Sequence, residues 1–161
     1  MTGIGQKVKF SHYIGIKFIL SLMFFFIFKT SFSEEFSLKW SITVEVLDRI
    51  EFIDGGNFRV NTAEGSWEDT KGFYGYMKCI GPVIIDKQKN LNLNLMCDGY
   101  DNNNERFQMN LKRNSIEDAG IGKAIYTSGT GRYLNFINKK CTYAVNYLNP
   151  KVGFYKQICK D

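Results

Sequence analysis

The four cysteines constrain this chain more than any other feature. Cys79 and Cys97 lie 18 residues apart, and so do Cys141 and Cys159. The midpoint of the first couple is residue 88, inside the polar run Asp86 to Asn90. The midpoint of the second is Pro150. Both midpoints fall on turn-forming sequence. In an antiparallel hairpin, the numbers of facing residues add to a constant about the turn. Each couple therefore occupies directly opposed positions of its own hairpin. Facing residues have Cα atoms about 4.5–5.5 Å apart, inside the range a disulfide spans. The spacing predicts Cys79–Cys97 and Cys141–Cys159, each closing a loop worth about 3 kcal/mol. Four cysteines permit three pairings, and the rival arrangement staples more distant strands across the fold. A four-thiolate zinc site would want paired CxxC spacings, which are missing.

Period-two alternation supplies the strands that these hairpins need. Leu38, Trp40, Ile42, Val44 and Val46 alternate with Lys39, Ser41, Thr43 and Glu45, so one face is buried. Arg49 to Ile53 continues more weakly. Asp54, Gly55, Gly56 and Asn57 read as a turn, and Phe58 to Ala63 as the return strand. Glu64 to Gly72, polar and glycine-bounded around Trp67, reads as a loop. Phe73 to Ile80 is aromatic-rich strand, limited by Pro82, with Val83 to Ile85 resuming it. Leu91, Leu93, Leu95 and Cys97 alternate with polar neighbours, as do Phe107, Met109 and Leu111. Asp98 to Glu105 reads as a turn and Asn114 to Gly120 as a polar connection. Lys123 to Thr127, Tyr143 to Leu148 and Gly153 to Cys159 are further strands. Short strands at near-regular spacing, with no helical period, predict an all-β domain: a small antiparallel barrel of about eight strands.

This domain is expected over residues 34–161. Residues 1–33 read as a secretory signal helix. Lys7, Lys9 and Lys17 precede an apolar core from Phe18 to Phe28, then Ser31 and Ser33 sit two apart before Glu34. That order places cleavage between Ser33 and Glu34. The alternative is an uncleaved membrane anchor over residues 13–28, the only membrane association expected. Either way the barrel is exported, to a periplasmic or extracellular compartment, where disulfides persist.

Four of the five units of formal net charge belong to the leader. Residues 1–33 hold four lysines and no acid. The chain's 21 basic side chains less those four leave 17 against 16 acidic. No basic stripe remains for a phosphate backbone, so nucleic acid is not an expected partner. The single histidine, His12, is also in the leader. The domain therefore has no histidine base, nucleophile partner or metal ligand. No cofactor and no metal are expected.

Four local clusters have plain structural readings. Gly120 to Lys123 and Gly129 to Arg132 lack the phosphate-loop spacing and read as tight turns. Asp98, Asp101, Asn102, Asn103, Asn104 and Glu105 gather oxygens as calcium would like, without the EF-hand pattern, and read as a turn. Glu68 and Asp69 form an adjacent carboxylate pair, whose members usually point apart. Of the many aromatic residues most are core. Trp40, Tyr76, Phe107, Tyr126 and Tyr133 are candidates to line a cavity at the barrel mouth.

The stretch Thr130, Gly131, Arg132 and Tyr133, with Tyr143 following, resembles the signature of the allene oxide cyclase-like barrels, which include the dirigent proteins. Asn138, Lys139, Lys140 and Cys141 depart from it where the family carries glycines. Asn138 suits the left-handed conformation such a kink needs. The resemblance implies an eight-stranded antiparallel barrel, often oligomeric. Plant members cyclise an epoxide or guide radical coupling. The exported, cysteine-bearing character is closer to the family's bacterial members. No functional residue carries over one by one, and no catalytic residue is assigned.

Three functions are therefore in play. The first is a non-enzymatic exported barrel binding a small, partly apolar molecule. The second is a cyclase or isomerase working through a carboxylate- or tyrosine-held water. The third is a structural module that associates with itself.

Overall fold

A computed structural model describes residues 35–116 and 119–160. The expected leader, its Ser33–Glu34 cleavage point and the alternative anchor lie outside the described residues. Among those described, no helix is long and apolar enough to cross a membrane.

The domain is a closed antiparallel barrel of eight strands in sequence order. They are β1 (Phe36–Glu51), β2 (Asn57–Asp69), β3 (Tyr74–Ile85), β4 (Leu91–Asp101), β5 (Arg106–Ser115), β6 (Gly120–Gly129), β7 (Lys140–Asn149) and β8 (Val152–Cys159). β1 closes the ring on β8, with Phe36 facing Cys159 and Thr43 facing Val152. Alternation does the sorting. Phe36, Leu38, Trp40 and Ile42 are buried on β1, and Leu91, Leu93, Leu95 and Cys97 on β4. Their partners in the alternation face outward, as a closed sheet requires.

Both disulfides form as the spacing predicts, and all four sulfurs lie inside the barrel wall. Cys79 faces Cys97 in a ladder that runs unshifted to Ile85 and Leu91 at the turn. The second hairpin is less regular. Its turn pairs Asn149 with Val152, and a bulge at Leu148 shifts the register by one. That shift brings Cys141 opposite Cys159. Such bonds belong to an oxidising compartment.

Four sequence expectations are corrected, one being that Asp98 to Glu105 is a turn: β4 runs on to Asp101, so only 102–105 turn. The segment Glu64 to Gly72 is mostly strand, not loop: β2 runs on to Asp69, and buried Trp67 faces Trp40. Gly65 permits this because the chains pinch there. A Cβ on it would sit 1.9 Å from the Ser41 carbonyl oxygen. Gly120 to Lys123 is not a turn but the start of β6, and Tyr143's ring occupies the space beside Gly122. Val46 is exposed rather than buried. β1 outruns the barrel, its register with β2 shifts after Val46, and the inward face passes to Arg49 and Glu51.

Candidate functional site

The two ends of the barrel differ. At one end the chain between β6 and β7 forms a 3-10 turn, Gly131–Phe136, that covers the opening. Thr130 fastens it to β5 by two hydrogen bonds. Its N–H donates to the Arg106 carbonyl and its hydroxyl oxygen accepts the Arg106 N–H, each at 2.8 Å. The Arg132 N–H donates to a Glu105 carboxylate oxygen at 2.9 Å. Asn138 takes a positive φ of 68°, as the sequence allowed, and returns the chain to β7.

Beneath the turn lies an aromatic plug. Tyr133 packs on Phe107 at 4.8 Å, Tyr126 on Phe136 at 5.1 Å, and Phe36 on Phe136 at 4.7 Å. The Arg132 guanidinium lies 3.6 Å over the Phe73 ring and forms an ion pair with Asp69, whose side chain is fully buried. The other Asp69 oxygen accepts N–H groups from Lys71 and Phe73. Glu68 points outward to Lys39, so the adjacent carboxylates do point apart. The calcium-like cluster divides in the same way. Asp98 faces out to Arg106. Asp101 faces in and accepts hydrogen bonds from the Asn103 and Glu105 N–H groups and the Tyr133 hydroxyl. Among the described residues no three or more His, Cys, Asp or Glu side chains are grouped to hold a metal ion.

A buried polar chain runs deeper. The Tyr155 hydroxyl donates to the Gln157 side-chain carbonyl at 2.6 Å, and the Gln157 amide donates to the Tyr126 hydroxyl at 3.0 Å. Burial pushes the Tyr126, Tyr133 and Tyr155 phenols well above their ordinary value. They stay protonated and act here as structural hydrogen-bonding groups.

Four of the five residues expected at a mouth thus belong to the packed interior. Phe107, Tyr126 and Tyr133 converge in the plug, and Trp40 packs edge-on to Tyr155 at 5.6 Å while its indole N–H donates to the Gly65 carbonyl. Tyr76 is not brought to them. It faces outward beside Tyr100, where desolvation and then Glu64 raise its phenol. A barrel this narrow fills its waist with side chains, so its largest residues cannot also line a cavity.

The opening is at the other end, beside the β1–β2 and β3–β4 connections. A mouth of about 560 Å³ is bordered there by Arg49, Glu51, Asn57, Ile85, Lys87, Lys89 and Leu91. Its floor is polar. Asn57 faces Ile85, Ile85 faces Leu91, and Leu91 faces Ser115 around the rim. One inward step deeper, Arg59, Val83, Leu93 and Arg113 follow the same line. Arg113 is only 3% exposed, yet its Nε and Nη1 have no hydrogen-bond partner among the described residues. The side-chain oxygens of Asn57 and Asn61, both 7% exposed, also lack one. Burial pushes the Tyr143 phenol up to about 12, while the positive charge of Arg113 works the other way.

A second hollow, about 610 Å³, lies on the outer wall and is bordered by outward residues including Lys39, Ser41, Glu68, Phe154 and Lys156, with Trp40 at its edge. Lys39 and Glu68 already satisfy each other across it at 3.3 Å. The buried polar groups without partners among the described residues make the mouth the stronger candidate. Sequence reasoning missed it, although the signal was present. Continuing the alternation Phe107, Met109, Leu111 by one more step puts Arg113 inside.

No protein-family model matches this chain, and no curated protein matches it. The site has to be argued from its own geometry.

Proposed function

We propose that this protein is an exported, non-enzymatic barrel that holds a small, partly apolar molecule at its open end. The observation that carries the reading is the asymmetry of the ends. One is plugged by aromatic rings, and there only Trp67 Nε1, Arg132 Nη1 and Asp98 Oδ1 are buried polar side-chain atoms without a partner among the described residues. The other is a mouth of small-molecule size that mixes Ile85 and Leu91 with buried polar groups lacking partners among the described residues. Export is part of the proposal, through the leader over residues 1–33 and into a periplasmic or extracellular space.

Native mass spectrometry of protein taken from its own compartment tests the ligand. A reproducible adduct that leaves on denaturation is expected. A bare mass in every preparation, with no melting shift from an extract of that compartment, overturns the reading. N-terminal sequencing tests cleavage of the leader: a start at Glu34 is expected, and an intact Met1 refutes cleavage.

The eight-stranded closed barrel is compatible with membership of the allene oxide cyclase-like family. The cyclase reading has less support from the geometry. It wants an acid facing an apolar cavity, whereas the buried acids Asp69 and Asp101 are already engaged inside the plugged end.

One observation favours self-association as a second reading. Beyond Val44, β1 pairs with β2 alone among the described residues, and exposed Leu47 and Ile50 lie along that stretch. A strand with one open edge is a template for a second copy. Light scattering should then show a dimer that Ile50→Lys dissociates. A monomer at all concentrations removes this reading.

A further inference from the structure

We propose that the molecule held at the open end carries an oxyanion, and that Arg113 is the residue that receives it. The inference rests on the small-molecule reading above and specifies the class of ligand. A guanidinium stays charged, so burying it requires a compensating anion or a full set of acceptors. Arg113 is buried in the barrel, and its Nε and Nη1 have no acceptor among the described residues. It is one inward step below Ser115, the residue facing Leu91 at the mouth. Around the same opening Arg49 is paired with Glu51, while Lys87 and Lys89 on the β3–β4 turn outnumber Asp86 and leave one net positive charge. That arrangement draws an anion inward from solvent. Ile85 and Leu91 offer apolar wall to the rest of the molecule. Nothing in this geometry prefers a carboxylate over a phosphate, since both present oxygens to guanidinium donors.

The test uses the full oxidised chain and four probes sharing one eight-carbon tail: octanoate, octyl phosphate, octanol and octylamine. Calorimetric titration should show octanoate or octyl phosphate binding at least about ten-fold tighter than octanol, the discrimination that one charge-assisted contact gives. Which of the two anions wins identifies the oxyanion. Octylamine should bind weakest. Arg113→Gln should bring the anion preference to under about two-fold while octanol affinity holds. Because removing a buried arginine can cost folding, Asn57→Asp serves as the second variant. It sets a negative charge at the mouth without emptying the interior, and should cut anion binding about ten-fold or more.

Equal binding of octanol and both anions to the unaltered protein overturns this inference and leaves the small-molecule reading standing. Anion preference that survives in both variants overturns the role of Arg113. No binding of any probe overturns the inference together with the reading beneath it.

Discussion

Arg132 offers the sharpest test of how the plugged end is held. Its guanidinium pairs with Asp69, whose side chain is fully buried, while that of Arg132 is only 19% exposed. Replacing Arg132 by Met keeps the apolar contact with Phe73 and removes the charge. The Asp69 carboxylate is then left buried with two backbone N–H partners, from Lys71 and Phe73, on one oxygen and no cation on the other. Removing one partner of a buried pair costs about 3–5 kcal/mol. The two surviving hydrogen bonds place this case near the lower end, about 3 kcal/mol. For a domain of this size each kcal/mol is worth about 3–5 °C, so the melting temperature should fall by about 10–15 °C.

The control is a double-mutant cycle with Asp69→Asn. Once the carboxylate is neutral, losing the cation strands nothing. Asp69→Asn/Arg132→Met should therefore be at least about 2 kcal/mol more stable than the two single costs added together. Urea denaturation of the oxidised protein, followed by circular dichroism at neutral pH, measures all four species. Molar salt should change the coupling little, because a buried pair is weakly screened. A cost for Arg132→Met below about 1 kcal/mol, or additivity within about 0.5 kcal/mol, would refute the idea that this ion pair fastens the cap.

Alkali should unfold the barrel steeply. Tyr143 is pushed up to about 12, and Tyr126, Tyr133 and Tyr155 shift the same way, all through burial. With folded values above the unfolded value of about 10, stability is complete below pH ~10 and declines above it, by about 1.4 kcal/mol per pH unit for each tyrosine. Tyrosinate absorbance from these four should rise together with loss of circular dichroism; absorbance rising while the fold persists would contradict their burial. Replacing Cys79 and Cys97 together by Ala should cost about 3 kcal/mol from loop entropy alone, and the Cys141 and Cys159 pair should match it, since both span 18 residues. Equilibrium urea denaturation of the two variants checks this, and a large inequality would show that one bond does more than close its loop. Gly65→Ala should destabilise by at least about 2 kcal/mol, because its Cβ meets backbone rather than a movable side chain. A melting point unchanged in that variant would mean the pinch between β1 and β2 relaxes freely.

The fold was legible in this sequence because its main signals are local. A hairpin brings facing residues together through one turn, so the cysteine numbering reports the register directly, and alternation reports which face is buried. The same locality explains the failures. Glu64 to Gly72 has the composition of a loop, and only the partner strand reveals otherwise. Trp67 is buried because it faces Trp40, and Gly65 is required because Ser41 passes close by. The closure of β1 on β8 joins residues more than a hundred positions apart, and no local pattern encodes it.

The candidate site was less legible for a geometric reason. In a barrel of eight strands the waist has room for side chains and little else. Ring chemistry makes Trp40, Phe107, Tyr126 and Tyr133 candidates, but that bulk is what fills the waist. A ligand can then enter only at an end, and the ends are set by which turns carry a cover. Gly131–Phe136 folds over one opening. At the other, the inward positions of β2 and β5 turn polar, at Asn57, Asn61 and Arg113. Inward polar residues are costly in a closed barrel unless something meets them. Their parity along the strand is therefore a better guide to a binding end than aromatic content is.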